Sequence, residues 1–538
     1  MSEVARRPWE DSYPPGVSWR APVVVGTLTA LLDGAAKAFG TETALEWESG
    51  SVSYGELRRR VDRFAAGLLA RGLRPGEPVA LFLPNSVWHP VAFFGVLRAG
   101  GRVVHLTPLD PPRALMRKLA DSGARTVVTT APLTAVAAQL DGVSLVVGDG
   151  PVPQGAVAAE AMMADSPGAW PDVEPSDVAV IQYTGGTTGL PKGALLTHAN
   201  LSAAVAIYDA WFDGQGKGAN PGDRVICVLP LFHIYALTCV MLRGLRRGAH
   251  IILRARFDAA SVLDDIETRR VTHFNGVPTM WIALLNQPDI GRRDLSSLRS
   301  VSSGGAGLPH EVREEFARLT GHRLSGGWGM TETSPAGTHI AAGHEPGPGE
   351  IGLPLPGIDM DVVALDDPHR VLEPGQVGEV RIRGPNVTRG YWNRPEEDEA
   401  AFVDGWFLTG DVGFMAPDGV FTLVDRKKDM IISGGFNVYP RAIEDALHEH
   451  PDVREAAVIG VPDPYRGQSA RAYVVLREGA PVLTLDAVRA FLADKLGRHE
   501  MPAQVEIRPS LPYTPVGKLN KRALLDEWTE TNVKVPAP

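Results

Sequence analysis

The sequence predicts an α/β fold. A large N-terminal domain carries two α/β subdomains with parallel sheets and a small β-subdomain, and a separate α+β domain forms the C-terminal part. Three observations predict this. Up to about Gly347, helical and strand-like patterns alternate, as they do when a parallel sheet is covered by helices on both faces. Near Gly347 the texture turns to short strands joined by Gly and Pro. After Asp425 it turns again, to mixed helices and strands over roughly a hundred residues, a usual size for one domain. The expected domains are therefore 1–425 and 429–538, and a chain of 538 residues is too long for one ordinary core.

The elements follow in order. "SVSYGELRRRVDRFAAGLLARG" is an amphipathic helix, because Leu57, Val61, Phe64, Leu68 and Leu69 recur at helical spacing. Ser53 and Glu56 form a capping-box pattern at its start. "PVALFLPNS" is an apolar strand ending at Pro84-Asn85. Helix-like "VAFFGVLRAG", strand-like "RVVHL", helix-like "RALMRKLADSG" and strand-like "TVVTT" come next. The same grammar resumes at 178–182, at 223–229 and at "GAHIIL". "DVVALDD", "GEVRIRG" and "GVFTLVDR" read as the strands of the β-subdomain. In the C-terminal part, 443–447 and 485–496 read as helices, and 456–460 and 471–476 as strands.

Composition narrows the function. With 53 basic and 63 acidic residues the net charge is −10, which argues against a general nucleic-acid binder. Cys227 and Cys239 lack Cys-x-x-Cys spacing, so they read as two core thiols in a reducing compartment. The first residues show no apolar signal core, and no stretch is apolar over the ~18 residues of a membrane span. The expected setting is the cytoplasm.

Residues 183–193 read "YTGGTTGLPKG". Glycines let backbone N–H groups converge on an anion, and threonine hydroxyls add donors. The stretch fails the Walker A spacing, since Lys192 is followed by Gly193 rather than by a hydroxyl residue. "VAVIQY" before it and "GALLTH" after it both read as strands, so the loop joins two strands and no helix N-terminus is on offer.

Five further motifs follow in the chain: "SSGGAGLP" (302–309), "GWGMTET" (327–333), "GWFLTGD" (405–411), "VDRKKDMIISGGFNVYP" (424–440) and "PYTPVGKLNKRAL" (512–524). Together with the loop they resemble, in the same order, the motifs of the acyl-adenylate-forming superfamily, which comprises acyl-CoA synthetases, luciferases and peptide-synthetase adenylation domains. The resemblance runs from about Ser53 to Leu525. It implies that a carboxylate attacks the α-phosphate of MgATP, pyrophosphate leaves, and the thiol of coenzyme A then takes the acyl group. The implied cosubstrates and metal are ATP, coenzyme A and Mg²⁺.

The same resemblance implies roles for residues. Thr184, Gly185, Gly186, Thr187, Thr188, Gly189 and Lys192 would hold the β- and γ-phosphates. Gly305 and Ala306 would border the adenine. Gly329 and Thr331 belong to the motif that carries Glu332, the expected Mg²⁺ ligand with Thr184; hard oxygen ligands suit that ion. Trp328 stands where the family usually has tyrosine, and an indole stacks on adenine but accepts no hydrogen bond. Asp411 would accept from both ribose hydroxyls, and Arg426 would also reach the ribose. Lys518 would bridge the substrate carboxylate and the α-phosphate, where charge gathers in the transition state. Lys428 falls at the hinge, 426–428, about which the family's mobile C-terminal domain rotates between half-reactions. Ser433, Gly434, Gly435 and Phe436 would then line the path of coenzyme A.

On the acid side, "VLPLFHIYALTCV" (228–240) resembles the acyl-pocket helix of acyl-CoA synthetases and has no Asp or Glu for a substrate ammonium. His233 reads as the gating or carboxylate-facing residue. Tyr235, Leu237, Val277, Gly304 and Gly305 are the other expected pocket residues. The texture is similar to fatty-acid CoA ligases and to bacterial ligases for dicarboxylic acids such as pimelate. In a regular helix from His233, Arg243 stands roughly 15 Å along the axis, where it could meet a distal carboxylate; its place before Gly244, with Arg246 and Arg247 close behind, favours instead a cation that finishes the helix. The expected partners are the small-molecule acid, ATP and coenzyme A, without nucleic acid or an integral membrane segment, and with a homodimer left open. Two alternatives stand beside the ligase: an enzyme loading a carrier protein, and a non-catalytic nucleotide-binding protein of the same fold.

Overall fold

The computed structural model describes residues 7–165, 167–184, 192–434, 436–514 and 519–532. Gly185, Gly186, Thr187, Thr188, Gly189, Gly435 and Lys518 lie outside them. Packing groups the chain into two compact units. One comprises Met1–Met360, Ile382–Phe407 and Asp418–Val420, and the other Asp361–Arg381, Leu408–Pro417 and Phe421–Pro538. The second takes in strands of the β-subdomain because an antiparallel ladder, with Asp411 opposite Arg426, ties the strand Trp406–Met415 to the strand Phe421–Arg426.

Two seven-stranded sheets lie wholly within the first unit. In spatial order one runs Val157–Ala158, Ser144–Val147, Thr126–Thr129, Pro78–Phe82, Arg102–His105, Val178–Thr184, Lys192–Thr197. Every pair is parallel except the last. The other runs Ser325–Gly326, Ser300–Ser303, His273–Gly276, Arg224–Cys227, His250–Leu253, Thr43–Trp47, Gly50–Ser53, again parallel except at the Thr43–Trp47 and Gly50–Ser53 edge. The helix Tyr54–Ala70 buries Leu57, Val61, Phe64 and Leu68, the stripe that the sequence marks. One core joins them to Leu81 and Val103 of the first sheet and to Val225 and Ile251 of the second.

The capping box is half made. Ser53 Oγ accepts from the Glu56 N–H at 3.2 Å, but the Glu56 carboxylate takes Arg59 and Arg60 instead of turning back. A charged guanidinium one turn away outcompetes a neutral backbone N–H.

In the second unit, Phe436–Val438, Ile431–Ser433, Gly467–Leu476 and Val453–Asp463 form an antiparallel sheet, and Gln504–Ile507 adds a parallel strand. The helix expected over 485–496 ends at Leu492, with turns beyond it. Among the described residues no helix is long and apolar enough to cross a membrane. Cys227 and Cys239 are free thiols whose pKa values burial pushes up to about 12.

Candidate active site

The strand Val178–Thr184 returns as Lys192–Thr197, with Thr184 opposite Lys192. The loop therefore closes a hairpin at a sheet edge, as the two strand-like flanks require. Thr184 Oγ1 donates to the Lys192 carbonyl at 3.4 Å. The Lys192 ammonium pairs with Glu397 and lies 5.5 Å from the centroid of the Tyr391 ring. Gly193 has no room for a side chain: a Cβ there would lie 2.6 Å from Ile181. Its carbonyl accepts from Trp392 N at 2.8 Å.

Glu332 sits in the short turn Thr331–Thr333 and is 5% exposed. Tyr391 Oη donates to its Oε1 at 3.0 Å, and its backbone carbonyl accepts from Thr388 N. Burial pushes the Tyr391 phenol well above its ordinary pKa, and the adjacent Glu332 charge adds to the shift, so it stays a donor. Gly329 approaches the backbone of Pro335 so closely that a Cβ would overlap its carbonyl oxygen. The half-buried Trp328 ring packs on Gly337 in the same way.

The segment 386–392 ties the hairpin to the Glu332 turn, and sequence reasoning missed it. Asn386 Nδ2 donates to the carbonyls of Thr333 and Ala336, each at 2.7 Å. Thr388 Oγ1 donates to Leu195 O at 2.8 Å, and the Gly390 carbonyl accepts from Leu195 N at 2.9 Å. The available signal was the run "NVTRGYW", rich in side chains that bond backbone and closed by two aromatics.

The donor set fits Mg²⁺. Among the described residues no cluster of three or more metal-ligating side chains exists. One buried carboxylate and a threonine hydroxyl suit an ion that is held mainly by phosphate oxygens and waters.

On the acid side, Asn275 and Ser302 stand in register on adjacent parallel strands. Asn275 Nδ2 donates to Ser302 Oγ at 2.9 Å and to Tyr235 Oη at 3.3 Å. Tyr235 and Ser302 hydroxyls are 3.1 Å apart. Burial pushes the Tyr235 phenol up to about 12. A Cβ at Gly304 would stand 2.9 Å from the Tyr235 ring, so that glycine makes room for the phenol. Gly305 has φ +78°, a left-handed turn beside it. Val277 packs against the core that contains Leu237. Tyr235 N–H donates to His233 Nδ1 at 3.3 Å, which leaves the ring proton on Nε2. Asn275 is a second residue that sequence reasoning missed.

Arg243 corrects an expectation. The helix after His233 is π-helical over Ala236–Leu242, so the regular rise used to place Arg243 does not apply. Arg243 is buried, bonded to Asp209 at 3.2 Å and stacked 4.4 Å from the Phe212 ring centroid. Its charge already has a carboxylate.

In the second unit, Asp411 is buried and Arg426 Nε bonds its Oδ1 at 2.8 Å. Cross-strand register puts the two expected ribose residues opposite each other and pairs them. Glu379 braces the turn beside them, accepting from Gly410 N at 3.1 Å and from Lys427 Nζ at 2.7 Å. Burial pulls the Lys428 pKa down. Ser433 is buried, Gly434 has φ +59° and donates its N–H to Arg466 O, and Phe436 is 58% exposed with its ring 5.0 Å from His499.

A glycine- and threonine-flanked hairpin and a buried carboxylate suited to Mg²⁺ in the first unit, and in the second a buried aspartate paired with an exposed arginine, fit an adenylate-forming ligase of the acyl-CoA synthetase class. The chain belongs to the AMP-binding enzyme family, whose model matches residues 32–392; the family's C-terminal domain model matches 442–518. A long-chain-fatty-acid–CoA ligase of Bacillus subtilis (strain 168) is 36% identical over 560 residues, covering 98% of this chain and 99% of the relative. A feruloyl-CoA synthase of Amycolatopsis sp is 38% identical over 481 residues, covering 89% and 94%. Among solved structures, ATP-bound MatB from Rhodopseudomonas palustris superposes with a TM-score of 0.84 at 32% identity, covering 93% of this chain and 99% of that one.

Proposed function

We propose that the protein activates a medium-to-long-chain fatty acid with ATP and transfers the acyl group to coenzyme A. A carboxylate oxygen attacks the α-phosphorus, the bond to the β-phosphate breaks and pyrophosphate leaves. The thiol sulfur then attacks the acyl carbon, AMP leaves, and the thiol proton passes to solvent. Glu332 and Thr184 would hold Mg²⁺, which would supply neutralisation of the phosphate charge. Asp411 receives the ribose, and Lys518 stabilises the charge that develops at the α-phosphate. Gly185, Gly186, Thr187, Thr188 and Gly189 cradle the leaving pyrophosphate. The chain turns about Lys428 between the half-reactions, and Gly434 and Gly435 let pantetheine pass close to backbone.

One observation carries the acid class. The wall given by 228–240 and by 274–285 is free of carboxylates, and its polar centre, Tyr235, Asn275 and Ser302, is uncharged and self-satisfied. Such a wall suits an apolar acyl chain and offers nothing to an ammonium. Similarity to long-chain ligases over nearly the whole chain supports the same reading. The relative that acts as a feruloyl-CoA synthase supports a second, an aromatic acid. The test is a panel of saturated fatty acids, dicarboxylic acids and cinnamic acids, with AMP formation measured with and without coenzyme A. Fatty acids turning over best, and thioester forming only with coenzyme A, is the expected result. Faster turnover of cinnamates transfers the assignment to aromatic acids, and no turnover of any acid leaves a nucleotide-binding protein. We place the enzyme in the cytoplasm, and sedimentation decides between monomer and homodimer.

A further inference from the structure

The segment 229–232, just before His233, is bonded at three backbone groups by two side chains that belong to the other sheet. Asn85, buried just past the strand Pro78–Phe82, donates from Nδ2 to the carbonyls of Leu229 at 2.9 Å, Arg254 at 3.1 Å and Cys227 at 3.3 Å. Its Oδ1 accepts from Leu231 N at 2.8 Å. Gln182, two residues before Thr184, donates from Nε2 to the Phe232 carbonyl at 2.9 Å. Its Oε1 accepts from His105 Nδ1 at 2.9 Å. Both amides are used at both ends, so neither can turn over without losing a buried bond.

The strand that carries Gln182 has other support: ladder neighbours flank it, Arg102–His105 on one side and Lys192–Thr197 on the other. The 229–232 segment lies outside any strand or helix. Its carbonyl at Phe232 immediately precedes His233, whose own N–H closes a turn onto Pro230 O at 2.9 Å. Loss of the Gln182 amide therefore releases the turn, not the strand.

We propose that Gln182 is a positioning residue for adenylation: its carboxamide fixes the turn bearing His233 against the strand that enters the phosphate loop, with Asn85 as the second clamp. The role rests on the reading of His233 as the residue that faces the acid's carboxylate. It anchors the turn before His233 to two neighbouring strands of the other sheet through one hydrogen-bonded bridge, His105 to Gln182 to Phe232.

The experiment measures pyrophosphate release by the full-length protein against fatty acid and against ATP. Gln182→Met, close in volume and without donors, raises the KM for the acid about tenfold, the size of one buried hydrogen bond. Its KM for ATP stays within about twofold, since the ladder holds the strand. Gln182→Asn keeps a carboxamide but falls one methylene short, and it shifts the acid KM in the same direction. That variant keeps the test open should Gln182→Met fail to fold. His233→Ala reports the underlying reading: a raised acid KM there beside an unchanged one in both Gln182 variants overturns the role of Gln182 alone. An unchanged acid KM in His233→Ala overturns both. Acid and ATP KM rising together, or a lowered melting temperature with neither KM changed, marks Gln182 as ordinary structural packing and overturns the proposal.

Discussion

Tyr391 and Glu332 are 59 residues apart in sequence and share one hydrogen bond inside the first unit. Tyr391→Phe removes the donor and leaves the ring. The carboxylate then loses a buried partner, a change of about 1–3 kcal/mol. Adenylation is expected to slow about tenfold and to need more Mg²⁺, because a carboxylate that has lost one of its buried hydrogen bonds is a less well oriented ligand. Pyrophosphate release titrated with Mg²⁺ checks this, and an unshifted curve would detach Tyr391 from the metal site. Asp411→Asn replaces one acceptor oxygen with an N–H₂ group, and with the remaining oxygen on the Arg426 guanidinium the ribose loses its acceptor. ATP KM is expected to rise by an order of magnitude or so, with acid KM little changed. Equal rises in both would sink the ribose assignment. Glu332 and Asp411 were legible as motif residues because their neighbours in sequence mark them. Tyr391 and Asn275 were not, because what makes them matter is a partner brought near by folding, and a single aromatic or amide in a loop carries no such mark.

At the scale of elements, periodicity located most strands and helices of the first unit, since apolar residues there must face one core. It failed where hydrogen bonding departs from the regular pattern. An apolar run reads alike as α- or π-helix, so the widened turn over Ala236–Leu242 was invisible, and with it the true surroundings of Arg243. Arg243→Met now carries a different expectation. It removes the closest partner of the buried Asp209, although Arg246 at 3.4 Å and Arg247 at 3.9 Å remain. The loss is expected at about 3 kcal/mol, the low end for a broken buried pair. The melting temperature falls, while dodecanoate and the dicarboxylate of equal length are affected alike. A loss selective for the diacid would restore Arg243 as a recognition residue. Gly304→Ala acts on a neighbouring element: its Cβ drives the Tyr235 ring off Ser302, and the acid KM is expected to rise more for long chains than for short ones. A series of acyl chain lengths reads this directly.

The first unit as a whole carries a pH dependence written in its histidines. His105, His198, His273 and His339 are all buried, and burial draws each down from 6.5 to about 4. The unfolded chain takes up these protons as pH falls below about 6.5, while the folded protein takes them up only near 4. Stability is therefore present above the unfolded value and is lost as pH drops through that window. Each ring contributes up to about 1.4 kcal/mol per pH unit. Denaturant midpoints followed between about pH 7 and pH 5 should fall steeply, and His339→Gln should flatten the slope. A midpoint that stays level over that range would show that these rings are not neutral in the folded state.

Asn85 has a consequence for anyone who recombines this scaffold. Its amide, supplied by one sheet, reads strand-end carbonyls at Cys227 and Arg254 in the other. Grafting in a foreign segment between those positions imports its own carbonyl placement. A chimera with a crossover there inherits a mismatched joint unless donor and recipient agree on both the amide and the pair of strand ends. The two sheets are therefore not interchangeable modules, and the natural unit of exchange is both together.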